Sequence, residues 1–338
     1  MESNIDRYEA NWLDIHHLGF LNLVVYALLP HHKDETAQLS SPQPLKLEEI
    51  NTLWPRPWLY LRVLLIFALS FAMLYTCWRF EGKEESSTLL PGLTMIGALA
   101  FPLSMLIFFF ELNKFRSVSL LHVLRYMLIG SCVSIAITFF FQYALDYLPD
   151  TRFYYNGHNY FTPIIMIQYG MIPMLVNAVI EEFGKTLVIF VFLMHYRRRC
   201  YILQGMLIGA AVGAGFSVFE SAGYAMIGMD NLLDSILMRS FMSPICHIAW
   251  GAMIGGGTMM ISHRKLSYFR LFNPIFSLLF LFVCSLHFIW NYLLENYLTL
   301  NSNIELSIFT LFIILLMIWM GLRQIVEFKR QGFLPVER

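Results

Sequence analysis

Residues 176–190 read VNAVIEEFGKTLVIF, placing two adjacent carboxylates, Glu181 and Glu182, and the amine of Lys185 inside an apolar run of helical character. The rest of the chain decides what that run means. Its 338 residues are 57% hydrophobic and 14% charged, with a mean hydropathy of +0.59. Such values lie well outside those of ordinary soluble domains and describe a polytopic membrane protein. At bilayer mid-depth a charged side chain costs at least ~2.5 kcal/mol on insertion scales, so three together mark a working site.

The formal net charge is zero, which removes any bulk electrostatic basis for binding nucleic acid. Cys77, Cys132, Cys200, Cys246 and Cys284 are scattered without CxxC spacing and read as core thiols, with neither disulfide framework nor zinc ribbon. The first residues, MESNIDRYEANWLD, are acid-rich and lack the basic segment that precedes a signal-peptide core.

Residues 1–56 form an N-terminal cytoplasmic or interfacial region, in which the apolar stretch 18–29 is too short to span and residues 31–56 read as a polar linker. Eight windows of spanning length follow, near residues 58–78, 89–110, 124–145, 171–194, 201–227, 244–262, 271–294 and 304–322. Residues 161–170 precede the fourth, where Gly170 and Pro173 break off a short helix or re-entrant segment. The expected fold is therefore all-α, a membrane bundle of about eight transmembrane helices spanning residues 57–325, with a tail at 326–338.

Basic residues gather in alternate connections: Lys114 and Arg116, Arg197 to Arg199, Arg264 and Lys265, and Arg323, Lys329 and Arg330. The intervening loops are poor in them, so the positive-inside rule puts both termini in the cytoplasm. Gly205, Gly209 and Gly213 on the fifth span, and Gly251 and Gly255 on the sixth, repeat at the four-residue spacing of close helix contacts.

Four spans carry polar groups. The fourth has Glu181, Glu182 and Lys185; the fifth Glu220; the sixth His247; the seventh His287 and Asn291. With successive spans alternating in direction, a rise of 1.5 Å per residue sets all of them roughly 5–15 Å below the outer boundary. Chance placement would scatter them. Glu181 and Lys185 share a helix face at i, i+4, so the amine can neutralise part of the carboxylate pair.

Burial can raise one of two adjacent carboxylates towards a general base for water. Glu220, His247 and His287 make a His₂Glu set that suits Zn²⁺ with one position open, beside which Glu181 or Glu182 would be the base. Lys185 or Asn291 would then stabilise an oxyanion. Two other readings compete with this one. A Glu/Lys cluster also serves proton-coupled transporters, although inverted repeats with matching broken helices are not evident. A non-catalytic membrane scaffold is the third. Trp250, Trp290 and most phenylalanines are by default lipid-facing or interfacial. HExxH and GxGD are absent, and Ser217 does not complete GxSxG.

The motifs resemble those of a known family. Glu181-Glu182-Phe183-Gly184-Lys185 is similar to the EExxK motif of the PrsW family of intramembrane proteases, and Phe216 to Glu220 resembles its FxxxE element. His247 and His287 stand where that family carries histidines in the next two spans. The family is similar to the superfamily of CAAX prenyl endopeptidases and bacteriocin-processing enzymes, whose pattern is EExxxR, FxxxH and HxxxN. Residues 287–291, HFIWN, fit HxxxN, whereas Glu220 replaces a histidine and Lys185 arrives one residue early in place of an arginine. Both departures favour the PrsW branch, over residues of about 90–325.

The resemblance implies an endopeptidase in the bacterial cytoplasmic membrane, acting on a membrane-anchored protein in the manner of site-one cleavage of an anti-sigma factor. It leaves open a zinc or a metal-free glutamate mechanism. The same superfamily includes a non-catalytic scaffold subunit of gamma-secretase, so fold alone does not establish activity.

Overall fold

In a computed structural model the apolar windows become eight helices. They are α1 (Leu59–Phe80), α2 (Leu90–Leu112), α3 (Leu120–Asp146), α4 (Met171–His195), α5 (Ile202–Ile227), α6 (Ser243–Ile261), α7 (Pro274–Asn296) and α8 (Leu300–Arg330). The structure describes residues 57–82, 87–113, 118–146, 171–195, 201–227, 236, 243–261, 272–296 and 300–330. The N-terminal region 1–56, the segment 161–170, most of the connecting loops and residues 331–338 lie outside the described residues.

Among the described residues, six helices are long and apolar enough to cross a membrane. The other two, α4 and α6, are those with Glu181, Glu182 and Lys185 and with His247 among many glycines. At 25 and 19 residues they still measure roughly 37 and 28 Å, close to the hydrocarbon thickness. α8 continues to Arg330, past the apolar window that ends at 322, because Ile325 stays buried and Gln324 Oε1 accepts the Ile202 amide at the start of α5 (3.0 Å).

Helix ends inside an apolar bundle need partners for amides that lack an intrahelical acceptor. Glu111, in the last turn of α2, supplies them for α1: its carboxylate accepts from Trp58 N, Leu59 N and Tyr60 N at 3.0, 2.8 and 3.2 Å. Ser119 Oγ accepts from His122 N at the start of α3, and Asn273 Oδ1 from Ile275 N at the start of α7.

α5 is the axle of the bundle. Its apolar window is 94% buried, against 6% for α1 at the periphery. It lies antiparallel to α6 with backbones in contact. A Cβ on Gly205 would meet the Gly255 carbonyl, one on Gly209 the Gly251 carbonyl, and one on Gly213 the carbonyl of His247. This is the close approach that the four-residue glycine spacing predicts. Gly184 does the same for α4, where a Cβ would sit 2.9 Å from Ser134 O of α3.

Two expectations need correction. Trp250 and Trp290 are 0% and 3% exposed, so they pack inside the bundle and do not face lipid. Of the described cysteines only Cys246 and Cys284 are buried; Cys77 and Cys132 are exposed on α1 and α3, and all four are free thiols. Hydropathy cannot make these distinctions, since lipid and protein interior are equally apolar.

Candidate active site

The charged residues of α4 select their partners by side-chain direction. Asn177, Glu181 and Lys185 follow one another at four-residue intervals, with Glu182 turned about 100° from Glu181. The expected i, i+4 contact of Lys185 with Glu181 does not form. Lys185 Nζ instead lies 2.6 Å from Glu182 Oε1 at i, i+3. From there it also reaches His247 Nδ1 at 3.0 Å and sits 4.3 Å above the Phe216 ring, contacts that lie on the Glu182 side. Glu181 takes a different partner: its Oε1 accepts from Asn177 Nδ2 at 2.9 Å.

Three further helices complete the cluster. His287 of α7 places Nδ1 2.8 Å from Glu182 Oε1 and Nε2 3.6 Å from Glu181 Oε2. His247 of α6 places Nε2 2.7 Å from Glu220 Oε2 of α5. That last pairing follows from the antiparallel contact at Gly213. Side chains lean towards their own helix N-terminus, so Glu220 leans down α5 while His247 leans up α6 to meet it. The two imidazoles lie 5.1 Å apart, with Trp250 packed on His287 at 4.8 Å and edge-on to His247 at 5.2 Å.

Glu182, Lys185, His247 and His287 are at most 1% exposed and Glu181 is 6% exposed. The Glu220 side chain, at 18%, is the most open of the three carboxylates. Asn291 is half-buried one turn along α7 from His287, and no hydrogen bond joins it to the cluster among the described residues. Glu181, Glu182, Lys185, Glu220, His247 and His287 are thus brought together, and Asn291 is not joined to them by any described contact. Sequence reading missed Asn177, although its i−4 spacing from Glu181 was visible, and Trp250, three residues after His247.

The donor set fits a divalent cation. Glu181, His247 and His287 each offer one ligand atom, all within 4.8 Å of one another. Glu181 Oε2 is buried and has no hydrogen-bond partner. Its 3.6 Å separation from His287 Nε2 is long for a hydrogen bond. It is close to the roughly 3.3–3.5 Å expected between two donors on one tetrahedral ion. The other His287 nitrogen rests on Glu182, the carboxylate–histidine support common behind metal ligands. The trio differs in one carboxylate from the set expected from sequence, with Glu181 in the place of Glu220.

Residues 119–320 match the family described as PrsW family intramembrane metalloprotease, a stretch that contains every residue of the cluster. No curated protein and no solved structure matches the chain.

Proposed function

The chain belongs to the PrsW family of intramembrane metalloproteases, and from that premise we propose that it hydrolyses a peptide bond of a membrane-anchored protein near the outer boundary of the bilayer. One observation carries this reading: titratable side chains from four helices converge on a single buried cluster. Family membership makes the chain an intramembrane protease, which favours the hydrolase over the transporter and scaffold readings.

Glu181, His247 and His287 would hold a divalent ion, zinc, which when bound polarises the scissile carbonyl and acidifies water. Glu220, the most open carboxylate and in contact with His247, takes the proton of the attacking water and returns it to the leaving amine. Glu182 is already engaged by both Lys185 and His287, so its work is orientation: it fixes the His287 ring, and it holds Lys185, which must release His247 Nδ1 when the other His247 nitrogen gives its lone pair to the ion. The Asn291 amide, one turn along α7 from His287, donates to the oxyanion as the tetrahedral centre forms. Glu181 and Glu220 thereby exchange the roles expected from sequence. A metal-free version has one observation in its favour, the unpartnered Glu181 Oε2, which would make Glu181 the base.

The substrate is a single-span protein of the anti-sigma-factor kind. It is cut on the extracytoplasmic side of a bacterial cytoplasmic membrane by an enzyme with both termini in the cytoplasm. The test is cleavage of such a substrate in liposomes. Chelation should abolish cleavage and Zn²⁺ restore it, and His287→Ala should lose both zinc and activity. Cleavage that persists without metal but disappears in Glu181→Gln would move the chemistry to the metal-free version. Full activity in both variants would remove this cluster from the mechanism altogether.

A further inference from the structure

A second buried polar chain enters the site from α3. Gln142 Nε2 donates to Asn177 Oδ1 at 2.5 Å, and Asn177 Nδ2 donates to Glu181 Oε1 at 2.9 Å. Gln142 is 1% exposed and Asn177 6%. Asn177 presents its NH₂ to the Glu181 oxygen, which leaves Oδ1 to accept from the NH₂ of Gln142.

We propose that Gln142 and Asn177 are positioning residues that lock the Glu181 carboxylate, holding Oε1 so that Oε2 is presented to His287 Nε2. This rests on the reading of Glu181 as a ligand or base of the protease site. A carboxylate at the end of a flexible side chain can otherwise rotate and exchange its two oxygens, and a working carboxylate gains from being held in one orientation. Simple adhesion between α3 and α4 does not require this chain, because the helices already touch through Gly184, whose absent side chain admits Ser134 O and Thr138. Supporting groups behind a metal ligand typically tune affinity about 10–100-fold.

The test compares Asn177→Leu, Gln142→Met and the double variant with the wild-type enzyme, all purified as the full chain. Zn²⁺ affinity, kcat and KM for a single-span substrate, and the thermal midpoint are measured on each. Leu and Met keep the volume and remove the hydrogen bonds. We expect Asn177→Leu to lower Zn²⁺ affinity and kcat by about tenfold or more, with KM and thermal midpoint near wild-type values. Gln142→Met should have a smaller effect in the same direction, and the double variant should be no worse than Asn177→Leu, since Gln142 acts only through Asn177. Unchanged kcat and affinity in Asn177→Leu would overturn the proposal. So would losses that track a fall in thermal midpoint. If the wild-type enzyme bound no zinc at all, the ion-binding reading would fail separately, and the kcat of Asn177→Leu would still decide whether the pair positions Glu181.

Discussion

Lys185 Nζ lies 2.6 Å from Glu182 Oε1, with both side chains 1% exposed. This contact divides the adjacent glutamates into two kinds. Glu182 is a fixed counter-charge that also holds His287, whereas Glu181 is left with one oxygen free to meet a cation or a water. A buried pair of this sort contributes orientation more dependably than net stability, because desolvation offsets much of the attraction.

Removing one member of the pair should therefore do more harm than removing both. Lys185→Met leaves the Glu182 charge without its cation and is expected to destabilise the protein by about 3–5 kcal/mol. Combining it with Glu182→Gln should recover most of that loss in thermal unfolding while cleavage stays abolished, because His287 no longer has its carboxylate. An unchanged thermal midpoint for Lys185→Met would show that the pair does not carry its charge in the fold.

Glu220 offers the cleanest separation of chemistry from binding. Glu220→Gln keeps a hydrogen-bonding group beside His247 and removes the base, so kcat should fall about 10²–10⁴-fold with zinc content and folding retained. Cleavage assays run beside metal analysis of the same preparation check this. Loss of zinc in step with activity would instead make Glu220 a ligand, as the sequence first suggested.

Much of this was legible before the structure, and the parts that were not share a physical cause. Glycine spacing announced the α5–α6 contact because only a residue without Cβ tolerates a backbone there, and Gly209 against the Gly251 carbonyl is that contact. Glu220, His247 and His287 could be assigned to one layer because depth follows from residue count along a helix. The partner of Lys185 could not be assigned, since neighbours three and four residues away are about equally near and the choice falls to His247 and Phe216 on two other helices. The aromatic default misplaced Trp250 because a tryptophan against protein and one against lipid look alike in hydropathy. Gln142 stands 35 residues from Asn177, and nothing local in sequence joins them.

The capping of α1 by Glu111 predicts a defect confined to the periphery. Glu111→Ala strips the acceptor from three amides and should destabilise α1 by about 1–2 kcal/mol, in the range of lost helix caps. Because α1 buries so little of itself, proteolysis and hydrogen exchange should rise in residues 58–80 while cleavage of substrate is retained. Loss of cleavage would reveal that α1 takes part in substrate handling.

The α5–α6 interface ties stability to the site more closely than any other contact. A methyl group on Gly209 would run into the Gly251 carbonyl, so Gly209→Ala must push the two helices apart, at a cost of about 1–3 kcal/mol. The same displacement separates Glu220 on α5 from His247 on α6, whose 2.7 Å contact depends on the Gly213 approach two turns away. Activity should consequently fall even at temperatures where Gly209→Ala remains folded. Gly92→Ala is the control, since a Cβ there meets only Leu74 Cδ1 at an ordinary 3.6 Å and should leave both midpoint and cleavage intact. If Gly209→Ala lowered the thermal midpoint yet cleaved at the wild-type rate when folded, the glycine contact would be scaffolding alone, and the Glu220–His247 distance would not be set by it.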